Sequence, residues 1–542
     1  FKYLFLEHVD FTSKRDLTAR DIQMYMTQGL LRASKLQPNA PALVSAKSSF
    51  TWHEFKNRVA SLAGGLKDLG LKTEDRVAML SLNSHRYAEF YYGVFWAGGN
   101  VVPMNIRWSM SEHIYAINDS EAKFIIVDDN FKDIGESLIQ ECASLEGIIH
   151  ASDNRVAGEM INYEDIIENS PPVEDSNRSG EDLAGIFYTG GTTGFPKGVM
   201  LPHRALWTSA FCFGHAANVT QRDRVIHAPP LFHIAGSAML FAVTLFGGSH
   251  AFIDGFEPKA FIRAISELNG SMSLLVPTMV TMLLQSPQLR QTDTTKFTRL
   301  LYGASPMTLA ILNEAMEKLP STKFIHAYGQ TELGPLATIL EPEYHSVEGA
   351  ESGVIRSVGR PVPSVEIEIV DENGLEVSRG VTGEIKVKGA NTMLGYWKKP
   401  DETTETLKNG WVHTGDGGYM DKEGFIYVVD RLKDMIITGG ENVYSAEVEN
   451  IIMQFPGLLE CAVVGIPSKK WGEAVHAFVV VRDGFEVKED TIMDYCRTQI
   501  SSFKCPRTID IQTNPLPKSA AGKIQKFELR APFWAGHDRK IS

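Results

Sequence analysis

The sequence predicts an α/β fold: a large N-terminal body of two α/β subdomains plus a small β-rich lobe, followed by a small α+β C-terminal domain. Helical segments and short runs of branched residues alternate through most of the chain. Short alternating strands separated by turn residues begin at about residue 354. The 542 residues also exceed one core, because single domains rarely grow past about 300 residues.

Apolar spacing predicts the elements of the N-terminal body. Helical spacing marks LTARDIQMYMTQGLLRASKL and TWHEFKNRVASLAGGLKDLG. The predicted strands are RVAMLSL, FIIVDD, GIIHA, RVIHAPP, SLLVPT and LLYGAS. Because helices separate these strands, we expect largely parallel sheets. The run AMLFAVTLFGG is far shorter than the roughly 20 residues that span a bilayer, so we expect it in the core and predict no integral membrane segment.

Two further units follow the body. VEIEIVD, GEIKVKG, GWVHTGD and FIYVVDR alternate as strands do and predict the β-rich lobe, about 354–430. The remainder reads helix, strand, strand, helix over roughly a hundred residues, a reasonable size for an independent domain. We therefore predict domains over 1–430 and 434–542, with the boundary at Asp430–Lys433.

Charge and cysteine content exclude several classes of protein. The net charge of -13 disfavours duplex nucleic acid and anionic membrane as main partners. The five cysteines are scattered without CxxC spacing, and an odd number argues against a disulfide framework or a zinc site. These features favour a reducing, cytoplasmic location.

The glycine-rich segment YTGGTTGFPKGV predicts an anion-binding loop. Its lysine, Lys197, is followed by Gly198 where the Walker A motif needs Ser or Thr, so a standard kinase or GTPase loop is excluded. Glycines permit close backbone approach, consecutive N–H groups form an anion nest, and Lys197 adds a mobile charge. Taken alone, however, the segment fits a polar surface hairpin better.

Five more motifs follow the loop in order: YGASPM, AYGQTE, WVHTGD, DRLKDMIITGGENVYSAEVE and PKSAAGKIQK. Together with the loop, they resemble the signature set of the adenylate-forming superfamily, which includes acyl-CoA synthetases, peptide-synthetase adenylation domains and firefly luciferase. The resemblance covers roughly residues 40–530. It is nearest to short- to medium-chain fatty acyl-CoA ligases, including the 3-methylmercaptopropionyl-CoA ligase branch.

The resemblance implies ATP, Mg2+ and coenzyme A as cofactors. The loop would grip the β- and γ-phosphates, although Gly190 stands where the family usually has serine. Tyr328 would stack on adenine, while Asp416 and Arg431 would bind the ribose. The implied nucleotide contacts are Thr189, Gly190, Gly191, Thr192, Thr193, Gly194, Lys197, Gly303, Ala304, Ser305, Tyr328, Gly329, Thr331, Asp416 and Arg431.

The resemblance also implies the catalytic and metal-binding residues. Glu332 would bind Mg2+, with Thr189 completing the coordination, and a single carboxylate is enough because Mg2+ retains water and phosphate ligands. Thr331 would contact the α-phosphate. Lys523 would reach the α-phosphate and acyl oxygens, and Lys197 completes the predicted catalytic set.

A mobile C-terminal domain is a further implication. It would rotate about a hinge at 431–433 that contains Lys433, using one face for adenylation and another for thioester formation. Gly439 and Gly440 would lie along the pantetheine tunnel, where residues without side chains suit a closely approaching ligand. A homodimer is left open.

The acid-binding segment PPLFHIAGSAML carries no carboxylate. In amino-acid adenylation domains, the matching segment supplies an aspartate for the α-ammonium, so an amino-acid substrate is disfavoured. His233 is expected either to gate access or to be a core histidine. The predicted pocket residues are mostly apolar or small, which suits an uncharged acyl tail: His233, Ala235, Gly236, Val276, Gly303 and Gly334.

These implications predict an AMP-forming acid:CoA ligase that acts on a small-molecule carboxylic acid, most simply a short- to medium-chain apolar acid. An aryl acid is not excluded. The first alternative is a free-standing adenylation enzyme that loads an acyl or aryl acid onto a separate carrier protein. A luciferase-like oxygenase and a non-catalytic nucleotide sensor are more distant, since a sensor has no use for a lysine such as Lys523.

Overall fold

The computed structural model describes residues 24–154, 160–189, 196–305, 307–439, 441–482, 484–518 and 524–535. It confirms the predicted α/β class. The helices are α1 Gln28–Leu36, α2 Trp52–Asp68, α3 His85–Ala97, α4 Met110–Ser120, α5 Lys132–Glu141, α6 Tyr163–Asn169, α7 His203–Ala216, α8 Ile234–Phe246, α9 Pro258–Ser266, α10 Pro277–Gln285, α11 Leu309–Lys318, α12 Val347–Ser352, α13 Pro400–Thr406, α14 Ser445–Ile452, α15 Glu489–Gln499 and α16 Lys526–Trp534.

The strands alternate with these helices along the chain. They are β1 Pro41–Val44, β2 Ser49–Thr51, β3 Arg76–Leu80, β4 Asn100–Pro103, β5 Ala122–Val127, β6 Gly147–His150, β7 Ile161–Asn162, β8 Leu183–Thr189, β9 Lys197–Pro202, β10 Arg224–His227, β11 Ser249–Phe252, β12 Met272–Leu275, β13 Arg299–Gly303, β14 Lys323–Tyr328, β15 Thr338–Leu340, β16 Arg360–Pro361, β17 Val365–Val370, β18 Gly383–Gly389, β19 Gly395–Tyr396, β20 Leu407–Lys408, β21 Trp411–Met420, β22 Ile426–Arg431, β23 Ile436–Thr438, β24 Glu441–Val443, β25 Leu458–Ser468, β26 Gly472–Val481 and β27 Thr508–Gln512.

Two large sheets form the N-terminal body. One has nine strands in the order β16-β15-β14-β13-β12-β10-β11-β1-β2, and the other has eight in the order β19-β9-β8-β4-β3-β5-β6-β7. Neighbours from β12 to β14 pair in parallel, as do β3, β4 and β5. The largest apolar cluster contains residues of α2, α3, α7 and α8 and of strands from both sheets. These helices therefore join the two sheets through one core.

The two smaller sheets belong to the β-rich lobe and to the C-terminal part. The lobe sheet contains β17, β18, β20, β21 and β22, and the last sheet contains β23 to β27. The lobe sheet starts at Val365, later than the predicted 354, because Arg360–Pro361 pairs with β15 of the nine-stranded sheet. Strand β19, although it lies within the predicted lobe, pairs with β9 of the eight-stranded sheet. Segments of the predicted lobe region therefore pair with both large sheets.

The run AMLFAVTLFGG lies in α8, whose residues from Ala238 to Thr244 are buried. This confirms its predicted place in the core. Across the described ranges, none of the helices combines the length and the apolar character needed to cross a membrane. The homodimer, the cytoplasmic location and the 431–433 hinge stay predictions.

Candidate active site

The predicted site motifs follow four neighbouring strands of one parallel sheet. PPLFHI follows β10 and VPT follows β12, while YGAS and AYGQTE begin in the last two residues of β13 and β14. Because these strands run in the same direction, the motifs emerge at one edge, the carboxyl edge where α/β sheets bind ligands. The sheet thus gathers segments that are about a hundred residues apart in sequence.

Backbone constraints fix the turn after β13. Gly303 pairs with Ala327 of β14, and a Cβ at Gly303 would lie 2.1 Å from the Ala327 carbonyl oxygen. Only glycine fits there. Ala304 then takes a left-handed backbone with φ of 66°, and Ser305 is half-buried in the turn that follows. This turn brings three of the implied nucleotide contacts, Gly303, Ala304 and Ser305, to the end of β13 beside β14.

Asp416 accepts two hydrogen bonds at the predicted ribose position. The Tyr328 hydroxyl donates to its Oδ2 at 2.7 Å, and Arg431 Nε lies 2.6 Å from its Oδ1. Asp416 is only 5% exposed. Burial is the largest single effect and would lower the pKa of Arg431, but Asp416 and the other acidic groups around it together raise this pKa. The three residues therefore form one fixed polar group that joins β14 to the lobe.

The Tyr328 hydroxyl is committed to this group. Burial raises the pKa of Tyr328 well above its usual value, and the adjacent Asp416 charge raises it further. Gly329 follows directly, and a Cβ there would lie 2.0 Å from the Pro335 carbonyl oxygen. Tyr328 thus stays a neutral donor that orients Asp416, a role distinct from the predicted stacking on adenine.

The stem of the glycine-rich loop is a hairpin of β8 and β9. Thr189 and Lys197 face each other at its last pair, with Thr189 Oγ1 3.5 Å from the Lys197 carbonyl oxygen. Lys197 Nζ lies 5.1 Å from the centroid of the Tyr396 ring, a cation–π arrangement. Residues between the two strands, Gly190, Gly191, Thr192, Thr193 and Gly194, lie outside the described residues and stay predictions.

Glu332 lies in a short 3-10 helix, Thr331–Leu333, after β14. Its Oε1 accepts a hydrogen bond of 2.7 Å from the Tyr396 hydroxyl. Burial raises the pKa of Tyr396, and the Glu332 charge raises it further, so Tyr396 stays a donor. Thr331 is 9% exposed beside it. Tyr396 therefore connects the carboxylate of Glu332 with the ammonium of Lys197.

The oxygen donors of this group suit a hard divalent cation better than a transition metal. A carboxylate of Glu332 and the hydroxyl of Thr189 are the ligand types that Mg2+ accepts. No cluster of three His, Cys, Asp or Glu side chains able to hold a metal occurs within the described ranges. A cation bound here would take its remaining ligands from substrate phosphates and water, as Mg2+ usually does.

The predicted acid pocket follows β10 and β12. His233 precedes α8, and its Nδ1 accepts a hydrogen bond of 3.2 Å from the Ala235 amide. Gly236 has no room for a side chain, because a Cβ would lie 2.4 Å from the Pro230 carbonyl oxygen. Val276 precedes α10 and is 8% exposed, and Gly334 has a φ of 65°. The pocket residues are thus placed by backbone requirements as much as by side chains.

The hinge region contacts the last helix. Lys433 lies in the 3-10 helix Leu432–Asp434, and its carbonyl accepts from Arg530 Nη1 of α16 at 3.4 Å. Burial, together with the neighbouring Arg431, lowers the pKa of Lys433. Gly439 has a φ of 61° and lies under Trp471, with its amide donating to the Trp471 carbonyl at 2.7 Å. Gly440 and Lys523 lie outside the described residues.

Sequence reasoning missed two contributors to this region and one ion pair of the C-terminal part. Tyr396 in LGYWKKP connects Glu332 and Lys197, and Tyr188 donates to Asp119 Oδ2 at 2.6 Å at the foot of the loop. Lys526 pairs with Glu449 at 2.7 Å. The sequence LGYW marks Tyr396 only as an aromatic residue after a glycine. Its partners Glu332 and Lys197 lie 64 and 199 positions away, so their contact with Tyr396 could not be predicted from local sequence.

Comparison with known proteins assigns the family. Residues 30–397 match the family model described as AMP-binding enzyme, and residues 447–523 match the AMP-binding enzyme C-terminal domain.

The chain belongs to the AMP-binding enzyme family.

Individual relatives are similar to this chain over nearly its whole length. A feruloyl-CoA synthase of Amycolatopsis sp. is 34% identical, with 93% of this chain and 98% of the relative covered. A fatty acid–[acyl-carrier-protein] ligase, ScoC of Streptomyces coeruleorubidus, is 32% identical, with 93% and 96% covered. Among solved structures, the anthranilate CoA ligase AuaEII in complex with anthranoyl-AMP superimposes with a TM-score of 0.88 at 25% identity, covering 96% of this chain and 99% of that one.

These findings confirm the predicted adenylate-forming superfamily and the predicted enzyme class, an AMP-forming acyl-CoA synthetase. The matched C-terminal model spans β25, β26, α15 and β27, so the family resemblance includes three strands of the last sheet. ATP and CoA as substrates are consistent with this class.

Proposed function

We propose that this enzyme activates an apolar carboxylic acid as acyl-AMP, with release of pyrophosphate, and then transfers the acyl group to CoA. The observation that carries the proposal is a pair of polar groups, each of which joins a residue at or just after the end of β14 to another sheet. Tyr328, Asp416 and Arg431 form one group, and Glu332, Tyr396 and Lys197 form the other. The first suits a ribose, and the second suits phosphates and a cation.

The activation step brings two anions together, the acid and the α-phosphate. Holding them in contact requires positive charge and fixed donors that stabilise the transition state more than the substrates. Lys197 and the loop amides would neutralise the β- and γ-phosphates. Asp416 accepts hydrogen bonds, so it would orient the ribose hydroxyls, and Thr331 would donate to the α-phosphate.

Glu332 and Thr189 are the residues that would hold Mg2+. When bound, this cation supplies charge neutralisation to the leaving pyrophosphate. The chain's own contribution is to orient the Glu332 carboxylate through Tyr396 and to keep the Lys197 ammonium on the phosphate side.

The acid tail is proposed to be apolar and of short to medium length. Phe232 and Val276 are almost fully buried, and His233 to Ser237 include no carboxylate for a substrate ammonium. An ammonium buried without a counter-charge would be costly. Aryl and fatty acids both occur in the names of the relatives, and the apolar wall residues suit either one.

For thioester formation, we assign the path of the CoA thiol to the backbone at Gly439 and Gly440, and rotation of the C-terminal domain to the 431–433 hinge. Lys523 would serve the adenylation step alone. The left-handed backbone of Gly439 supports this assignment, because a side chain there would meet both the strain of a positive φ and the Trp471 ring.

The likeness to a fatty acid–[acyl-carrier-protein] ligase favours one second candidate, in which the same adenylate is transferred to a carrier protein. The two candidates differ only in the acceptor. Both need the same nucleotide group and the same acid pocket.

A mass-spectrometric screen of carboxylic acids tests the proposal. Short, medium and long fatty acids, aryl acids and amino acids are incubated with ATP and Mg2+, with and without CoA. We expect CoA thioesters of apolar acids and none of amino acids. Acyl-AMP that accumulates and never passes to CoA would support the carrier-protein acceptor, and the absence of any acyl-AMP would contradict the proposal.

Two variants separate the half-reactions. Lys523→Ala should abolish formation of acyl-AMP but retain thioester formation from supplied acyl-AMP. Gly440→Leu should do the reverse. Equal loss of both half-reactions in both variants would contradict the assigned division of labour.

A further inference from the structure

A short segment of the chain, Met393–Trp397, joins the two parts of the candidate phosphate site, which are the Glu332 turn and the stem of the glycine-rich loop. We call it the strap. Its first amide, of Met393, donates to the Glu332 carbonyl at 2.9 Å, and its last, of Trp397, donates to the Gly198 carbonyl at 2.7 Å. Between them, β19 pairs with β9, with Tyr396 opposite Val199. The strap therefore fixes the backbone of the Glu332 turn relative to the stem of the glycine-rich loop.

Tyr396 repeats this connection with its side chain. The hydroxyl donates to Glu332 Oε1 at 2.7 Å, and the ring centroid lies 5.1 Å from Lys197 Nζ. The residue is 7% exposed, and its amide is held by the Thr403 hydroxyl at 2.8 Å. One rigid ring thus contacts a carboxylate at its tip and an ammonium at its face.

We propose that Tyr396 is a positioning residue that sets the distance between the Glu332 carboxylate and the Lys197 ammonium, and thereby the affinity of the enzyme for Mg2+ together with ATP. The proposal rests on the proposed function, in which Glu332 holds the cation and Lys197 the phosphates. Tyr396 itself contacts neither substrate in this assignment.

The two contacts have separable effects. A hydrogen bond from a neutral hydroxyl to a carboxylate is short, directional and stronger than one between neutral groups, so it fixes the carboxylate in one orientation. A cation–π contact is weaker and less directional, and it restrains a mobile lysine chain. Removing only the hydroxyl should therefore affect the cation, whereas removing the ring should also affect ATP.

A purely structural role predicts a different pattern. Tyr396 belongs to the largest apolar cluster of the body, so its ring also fills space. Loss of packing would lower thermal stability and weaken ATP binding equally with and without Mg2+. The discriminating quantity is accordingly the Mg2+ dependence of ATP binding rather than turnover.

The test is calorimetric titration of ATP into the full-length enzyme in the absence of acid, over a series of Mg2+ concentrations. Without acid, ATP is bound but not consumed. For Tyr396→Phe, we expect the Mg2+ concentration that gives half of the maximal effect on ATP affinity to rise by about tenfold, since a hydrogen bond to a charged group has been lost. ATP affinity without Mg2+ should stay at the wild-type value.

Tyr396→Leu removes the ring as well. We expect the same change in Mg2+ dependence and, in addition, a weakening of ATP binding without Mg2+ by about two- to fivefold. The matched control is Tyr163→Phe, which also removes a buried hydroxyl that donates to a carboxylate, Glu89 Oε2 at 2.9 Å. Tyr163 lies on α6, at the far end of the eight-stranded sheet from the strap, so neither titration should change.

Glu332→Gln separates this inference from the proposed function. If Glu332→Gln weakens the Mg2+ effect and Tyr396→Phe does not, Tyr396 has no positioning role and the metal assignment stands. If neither variant changes the Mg2+ dependence, Glu332 does not hold the cation, and the proposed metal site fails with it. Equal weakening with and without Mg2+ in Tyr396→Phe would leave only the packing role and overturn the inference.

Discussion

At the scale of single residues, Asp416 shows how one buried carboxylate is made ready for a ligand. Two donors from different parts of the chain, Tyr328 and Arg431, hold one oxygen each. A carboxylate oxygen can accept more than one hydrogen bond, so both still have capacity for ribose hydroxyls. Under the proposed ribose assignment, the carboxylate would thus be oriented before the nucleotide arrives, which would reduce the ordering that binding must impose.

Replacing Asp416 by asparagine tests this arrangement. The amide keeps the shape but loses the charge and one acceptor, so we expect the KM for ATP to rise by about tenfold or more, with a smaller change in kcat. Steady-state kinetics at saturating acid and CoA measures it. Glu368→Gln serves as control, because Glu368 pairs with Lys386 on the same sheet at 2.7 Å and has no assigned role in the site. An unchanged KM for ATP in Asp416→Asn would contradict the ribose assignment.

Candidate residues could be named where an ordered motif contains them, but not where their contacts depend only on long-range pairing; the roles of the named residues stay predictions. Asp416, Arg431, Tyr328 and Glu332 were all named from ordered motifs. Tyr396 was not, because its function depends on pairing of β19 with β9, and a strand of two residues leaves no alternation to detect.

At the scale of elements, an ion pair organises the C-terminal part. Lys526 at the start of α16 lies 2.7 Å from Glu449 of α14, and the same Glu449 oxygen accepts the Val463 amide of β25 at 2.7 Å. Burial is the largest single effect and would lower the pKa of Lys526, but Glu449, Asp430 and Asp434 together raise this pKa. Three elements therefore meet at one carboxylate.

Glu449→Gln should consequently destabilise this region. The Lys526 ammonium would keep its burial but lose its paired carboxylate, with Asp430 and Asp434 as the remaining negative charges, and we expect a loss of up to about 3 kcal/mol in local stability. Hydrogen exchange of α14 and β25 in the full chain, followed by mass spectrometry, measures this directly. The matched control is Asp494→Asn, which breaks an exposed pair with Arg497 on α15 and should change stability by less than about 1 kcal/mol. Equal protection in both variants would show that Lys526 finds another partner.

Most helices and strands could be predicted from the sequence. The exceptions are strands that are very short or that pair with a sheet outside their own unit. The parallel strands and the αββα order of the last part were predicted from apolar patterns. The lobe boundary was placed at 354 because the composition changes there, whereas Arg360–Pro361 still completes the nine-stranded sheet. Pairing between strands that are distant in sequence decides that boundary, and such pairing cannot be predicted from local composition.

At the scale of the whole molecule, a buried histidine pair joins two neighbouring strands of the nine-stranded sheet. His227 of β10 and His250 of β11 contact each other through ring nitrogens 3.0 Å apart, and Thr244 of α8 lies 3.0 Å from the other nitrogen of His250. Burial lowers the pKa of His227 to about 3 and that of His250 well below its usual value. The fold therefore holds both rings neutral.

This pair predicts how stability depends on pH. In the unfolded chain, histidine binds a proton with a pKa of about 6.5. The folded state resists that proton, so stability is complete above about pH 6.5 and falls as the pH decreases from there toward 3. We expect the melting temperature of the wild type to be lower at pH 5.5 than at 7.5, and this difference to shrink in His227→Gln.

The control for this prediction is His53→Gln, which replaces an exposed histidine on α2. Its melting temperatures should show the wild-type dependence on pH. A dependence that is equally steep in His227→Gln would assign the acid sensitivity to other groups.

The strap has a consequence for the exchange of parts between related enzymes. The lobe is continuous in sequence, yet Met393–Trp397 delivers a tyrosine to Glu332 and a strand to the stem of the glycine-rich loop. A hybrid that takes the lobe from one enzyme and the body from another therefore also replaces the residue that orients the body's own carboxylate. Grafts that take Lys197, Glu332 and Met393–Trp397 from the same enzyme keep the native partners together, whereas a junction between Glu332 and Met393 combines the carboxylate of one enzyme with the tyrosine of the other.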